Sequence, residues 1–321
     1  MTRDRSIKLF PWLALTFIAG CSSPYQFSSE IGSFSTGVDN VSGAYTTGYN
    51  NLANDCSTLQ TLIFNDTSAT LRLATSCNPA AQNSVPCDFY RQGEPQPSTS
   101  DPALASSRPR TLEAVKALTD YAHALQAITN AADRAALDSA TARLSASVTA
   151  LGKAAGPQGA AAGAAFSEGF NIFAWVLGQA LDQERFDTLK QDVNLAAAPV
   201  QSIAHGLGAQ LDAISQARQL VLYDTVTTLI KPLGPGYKNY AAREATASQT
   251  KAVLVQLEQA TPSQVTDALI KAHDALRDAV NDPKGSFGNF ATAADNFAEL
   301  AEALKSSLAT PVKTPPSSSG S

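Results

Sequence analysis

Aromatic residues make up only 7% of this 321-residue chain, and alternating runs of β-branched residues are scarce. Both shortages disfavour a strand-built core, because sheets draw on those side chains. Clusters of basic residues are also missing. Beyond the first twenty residues the chain has 20 basic and 27 acidic side chains, a net charge of −7. That balance excludes the basic footprint by which nucleic acids are bound. No Gly-x-Ser-x-Gly elbow, phosphate loop or dinucleotide fingerprint occurs. The three histidines, His123, His205 and His273, have no second His, Cys or carboxylate at metal-ligand spacing. They read as surface or helix-face residues. With no nucleophile or acid–base constellation, the expectation is a protein that is not an enzyme and uses no cofactor. No internal repeat recurs at a fixed period.

What the chain has in abundance is alanine. Small side chains with high helix propensity favour helices that approach one another closely. About 300 residues beyond the N-terminal segment suffice for a sizeable core in one or two domains.

Spacing locates the helices. Ile31, Phe34, Val38, Val41 and Tyr45 recur at intervals of three and four, and Tyr49, Leu52, Cys56, Leu59 and Ile63 continue the series after a one-step shift. This predicts a helix over residues 29–75 despite a local wealth of Gly, Ser, Thr and Asn, which by itself would also suit strands. Residues 76–109 hold six prolines and many serines and read as a long loop. A second helix is expected from Arg110 to Leu151, about 60 Å long, with Thr111 as N-cap and Gly152 just past its end. Its stripe runs Val115, Leu118, Ala122, Leu125, then Leu137, Ala140, Leu144, Val148 and Leu151.

Further helices are expected over residues 192–230, where Pro199 starts or kinks the helix, and over 237–259. Lys231 to Gly236 forms a stop between them. Thr261-Pro262-Ser263-Gln264 matches a capping box and opens another helix. Asp282-Pro283-Lys284-Gly285 ends that one, and Phe287 to Leu304 marks the last. Gly206 and Gly208 read as close-packing sites. Residues 309–321 are Pro/Ser-rich and read as a disordered tail.

The N-terminus is a different kind of segment. Arg3, Arg5 and Lys8 precede an uncharged apolar run from Leu9 to Ala19, too short for the ~20 residues that span a bilayer. The run ends in Ile18-Ala19-Gly20-Cys21, which resembles the lipobox of bacterial lipoproteins. The resemblance covers only the first 21 residues. It implies removal of residues 1–20, acylation of Cys21, and a protein held on the bilayer through several acyl chains, since one chain alone binds marginally. Ser22, rather than Asp, follows Cys21, which by the enteric sorting rule implies an outer-membrane anchor facing the periplasm. Residues 22–28 then read as a short tether.

In an oxidising periplasm a disulfide is expected. Cys56 and Cys77 would lie about 30 Å apart on a continuous helix and could not pair. Cys77 and Cys87 bracket a proline-containing loop and are the expected pair, with Cys56–Cys87 as the alternative. Cys56 otherwise falls on the apolar stripe as a buried thiol.

Residues 154–181 carry one charge, Glu168. Gly159 and Gly163 stand four apart, and Phe166, Phe170, Phe173, Trp175 and Leu177 cluster behind them. The segment reads either as bundle core or as a membrane-inserting stretch, loosely resembling that of α-helical pore-forming proteins. Glu168, Asn171 and Gln179 are costly in lipid and favour core.

The expected fold is all-α, an elongated antiparallel bundle of long helices with coiled-coil-like packing over residues 29–308. The expected role is structural or protein-interaction work in the envelope with a protein partner. Membrane activity through residues 154–181, and an apolar-ligand sensor, are the alternatives.

Overall fold

The computed structural model describes residues 27–65, 71–73, 89–91, 102–156, 179–230, 240–259 and 261–312. These form α1 (Ser28–Asn65), β1 (Leu71–Leu73), β2 (Phe89–Arg91), α2 (Pro102–Thr129), α3 (Arg134–Ala154), α4 (Gln179–Ile230), α5 (Tyr240–Gln259), α6 (Pro262–Asn281) and α7 (Pro283–Ala309). The helices pack into an all-α bundle.

α1 forms where the three-and-four spacing lies. Every stripe residue from Ile31 to Leu59 is buried in the main core, Cys56 among them. Its weak propensity is overridden by packing: a Cβ on Gly37 would sit 2.5 Å from the Phe297 ring of α7, so the glycine lets the two helices close up. The pairs Phe27–Phe287 and Phe34–Phe297, with ring centroids 5.1 and 5.8 Å apart, advance together along both chains, so α1 and α7 run parallel. α4 runs the same way beside α1, from Phe27–Phe186 to Asp55–Arg218.

The pairs α1–α2, α2–α3, α4–α5 and α6–α7 run antiparallel. Ser28 meets Asn130 and Tyr49 meets Arg108, which reverses α2 against α1. α4 has 52 residues and spans about 78 Å. It is matched by two shorter helices laid end to end: α5 (Gln219–Leu257, Thr228–Arg243) and then α6 (Gly208–Thr266, Asn194–Asn281) run back along it.

Several sequence-based boundaries are corrected. α1 stops at Asn65, not at residue 75. Leu71–Leu73 is a strand, paired antiparallel with Phe89–Arg91 in the register Leu71↔Arg91, Arg72↔Tyr90, Leu73↔Phe89. Asp66-Thr67-Ser68 follows the end of α1, and residues of these types favour caps and turns over helix interiors. The expected loop over 76–109 therefore contains β2 and the start of α2. Pro102 opens α2, where its missing N–H is harmless, and Pro109 lies inside that helix. Buried Leu104, and Ser107 bonded to Gln210 of α4, anchor the added turns.

The single long helix expected from Arg110 to Leu151 is a hairpin of two. Asp133 caps α3 by accepting the Ala136 N–H at 2.8 Å, and Thr111 is interior to α2. Gly152 is buried within α3, and Gly156, at φ +79°, takes the position past the end. α4 begins at Gln179 rather than Asp192 and carries Pro199 in its interior.

Thr261 does precede α6, but its hydroxyl bonds the Gln264 side chain instead of a backbone N–H. Asp212 of α4 sits against the Ser263 N–H, so a tertiary neighbour serves this helix start. Asp282-Pro283 ends α6 and also opens α7 at Pro283, earlier than Phe287. Thr310 and Val312, expected in a disordered tail, are instead bound to the bundle: the Thr310 carbonyl accepts from Arg218 and Val312 packs on the core, while residues 313–321 lie outside the described residues.

Candidate functional site in the bundle core

Three helices bring polar side chains into the centre of the bundle. Tyr121 (α2) and His273 (α6) are fully buried, and the Tyr121 hydroxyl lies 2.9 Å from His273 Nε2. Phe34 of α1 packs on the imidazole, ring centroids 6.3 Å apart. Burial, helped by the nearby Arg277 charge, lowers the His273 pKa to about 3, so the ring is neutral. A neutral imidazole has one acceptor nitrogen, which suits a phenol as donor at Nε2.

Asp192 (α4) is buried close enough to Tyr121 for its charge to act on the phenol. It is 0% exposed, and neither carboxyl oxygen has a hydrogen-bond partner. Burial raises its pKa to about 7. The Tyr121 phenol is raised well above its ordinary value by burial first and by Asp192 second. The arrangement holds a proton at Asp192 near neutrality. It offers no nucleophile, and no group of three metal-ligating side chains exists among the described residues.

A second buried polar centre lies toward the far end. Arg218 (α4) is fully buried and donates from Nε to Asp55 of α1 at 2.6 Å, and from its terminal nitrogens to the Leu308 and Thr310 carbonyls at 2.9 and 2.5 Å. Asn51 adds a donor to the Leu308 carbonyl at 2.8 Å. Burial pushes the Asp55 carboxyl up, opposed by the Arg218 charge. The guanidinium thus satisfies the carbonyl oxygens that α7 leaves open at its C-terminus. Nearby, Arg108 stacks over the Tyr49 ring at 4.1 Å.

Between α2 and α3 runs a surface groove of about 540 Å³, floored by Ala124, Ala127, Ala146 and Ala150 and rimmed by Asp120, His123 and Arg143. His123 Nε2 contacts Asp39 of α1 at 3.0 Å, both half-exposed.

Of the residues singled out from sequence, His273 is corrected from a surface or helix-face position to a buried one. His123 and His205 are exposed. Gly208 is a close-packing site, since a Cβ would meet Thr266 Oγ1 at 2.7 Å; Gly206 faces open space and is not. The described residues contain no disulfide and bury Cys56. Cys21, Cys77, Cys87, Phe166, Phe170, Phe173, Trp175 and Leu177 lie outside the described residues. So does most of the segment 154–181. Asp192 and Arg218 were missed. Their one sequence signal is a charge on the inward stripe, Asp192 one residue before buried Val193 and Arg218 four after buried Ile214.

The class defined by these features is an all-α bundle with two buried polar centres. Comparisons with protein-family models, with curated proteins and with solved structures found no match. No described helix is long and apolar enough to cross a membrane.

Proposed function

We propose that the protein is a non-enzymatic lipoprotein, tethered to the bacterial envelope through acylated Cys21, whose helical bundle does structural or protein-interaction work. The observation that carries this reading is the lipobox-like Ile18-Ala19-Gly20-Cys21 directly ahead of the bundle. Phe27 stands six residues after Cys21. That spacing reaches at most about 21 Å, so the lipid would hold one end of the bundle against the bilayer. Outer-membrane attachment facing the periplasm, with an envelope protein as partner, fits the Ser22 that follows Cys21. The bonded Tyr121–His273 pair and the pairing of Arg218 with Asp55 support a scaffold, because these polar groups serve packing.

One observation favours membrane activity as a second reading. Phe27 and Phe186 pack together, so the tether and the helix that follows the aromatic segment 166–177 start at the same end of the bundle.

The test is fractionation of cells producing wild type or Cys21→Ser, with labelled fatty acid. Wild type is expected to take up label and sediment with membranes, and the variant to be unlabelled and soluble. A wild type without label, or a variant still on membranes, overturns the lipoprotein reading. Dye leakage from anionic vesicles exposed to the variant separates the two roles: leakage supports the second reading, and intact vesicles support the scaffold.

A further inference from the structure

We propose that Asp192 is the proton-binding site of a pH-sensitive lock in the bundle core, holding α4 against its neighbours when protonated and loosening that contact when it ionises. The geometry is a fully buried carboxyl with two unpartnered oxygens, close enough to Tyr121 of α2 for its charge to act on that phenol. An ionised carboxylate without donors is among the least favourable groups a core can hold, whereas the protonated form loses only modest solvation. Among the described residues, no cation is paired with Asp192. α2 presents Tyr121, α6 presents His273 with Arg277 one turn on, and α1 presents Phe34. Arg277 is itself engaged by Asp274 and Asp278. Among the described residues, no charge from α3 or α7 acts on Asp192, Tyr121 or His273.

The sign of the effect follows from linkage. Asp192 has a folded pKa of about 7 against 3.8 unfolded, so its contribution is present below pH 3.8 and lost as pH rises through 7. His273 runs the other way. Its folded pKa of about 3 lies below 6.5, so its contribution is present above pH 6.5 and lost as pH falls. Between pH 3.8 and 6.5 the two slopes oppose, and at about pH 5 folding converts a charged Asp and a charged His into two neutral groups. Above pH 6.5 only the Asp192 slope remains, which confines the lock's response to the neutral range.

The experiment uses the full chain in detergent micelles. The Asp192 carboxyl carbon is followed by NMR, assigned by its absence in Asp192→Asn, and urea unfolding is measured from pH 4 to 8 for wild type, Asp192→Asn and His273→Gln. The carboxyl is expected to titrate near neutrality. The ratio of wild-type to Asp192→Asn folding constants is expected to fall roughly 500-fold across that range. Hydrogen exchange around residues 188–196, corrected for intrinsic rate, is expected to rise with pH in wild type only. His273→Gln is expected to lose stability steadily from pH 4 upward. A carboxyl titrating below pH 5, parallel stability curves for wild type and Asp192→Asn, or exchange that ignores the titration overturns the proposal. If Asp192→Asn does not fold, the wild-type titration and exchange decide alone.

Discussion

Arg218 makes three charge-assisted hydrogen bonds, and it makes them with no exposure to water. Removing one member of such a buried pair leaves the other charge uncompensated. Arg218→Met is therefore expected to lower unfolding free energy by about 3–5 kcal/mol. Asp55→Leu combined with Arg218→Met is expected to recover part of that loss, because the orphaned carboxylate is gone. Urea unfolding of the two single variants and the double variant measures this. Equal losses in Arg218→Met and the double variant would show that the bonds to Leu308 and Thr310, rather than the ion pair, matter most. At this scale the sequence was least legible. A charged residue on an apolar stripe can point to a partner or bend out to solvent, and only the neighbours decide. Arg218 has its partners 163 and about 90 positions away.

Among the elements, Gly206 and Gly208 separate what a helix wants from what its neighbours permit. Both stand in α4, where glycine is less favourable than alanine by about 1 kcal/mol. Gly206 faces open space, so Gly206→Ala is expected to stabilise by about 0.5–1 kcal/mol. Gly208 lies against Thr266, whose hydroxyl is held by the Pro262 and Ser263 carbonyls of α6 and cannot swing away freely. Gly208→Ala is expected to destabilise by about 1–3 kcal/mol through overpacking. Thermal melts of the two variants check both signs, and the same sign in both would refute the assigned packing. The apolar spacing alone located α1, α6 and most of α4. It failed at the α2–α3 turn, where the stripes ending at Leu125 and starting at Leu137 were joined although twelve residues turn a helix through about 1200°, roughly 120° out of phase. The sequence did carry the break, in an Asx residue three before the Ala136 N–H it caps. Pro102 and Pro283 were read as stops although the first position of a helix accepts proline.

For the whole molecule, the pairing of the cysteines is an expectation that peptide mapping tests. The expected bridge is Cys77–Cys87, and both residues fall in the stretch that links β1 to β2. Non-reduced peptide mapping of protein isolated without reductant is expected to recover that pair, with buried Cys56 alkylated only after denaturation. A peptide joining Cys56 to Cys87 would refute that pairing.

The sequence by itself determined that the protein is helical and acidic, which faces of α1 and α4 turn inward, and that a lipobox-like segment heads the chain. These are local properties, written in spacing and composition within a few turns. The tertiary structure alone decided that α1, α4 and α7 run parallel, that α5 and α6 share one long partner, and that Tyr121 meets His273, and Arg218 meets Asp55, in the core. Such meetings join residues on separate helices, and no periodicity within a helix specifies the neighbour that a buried charge will find.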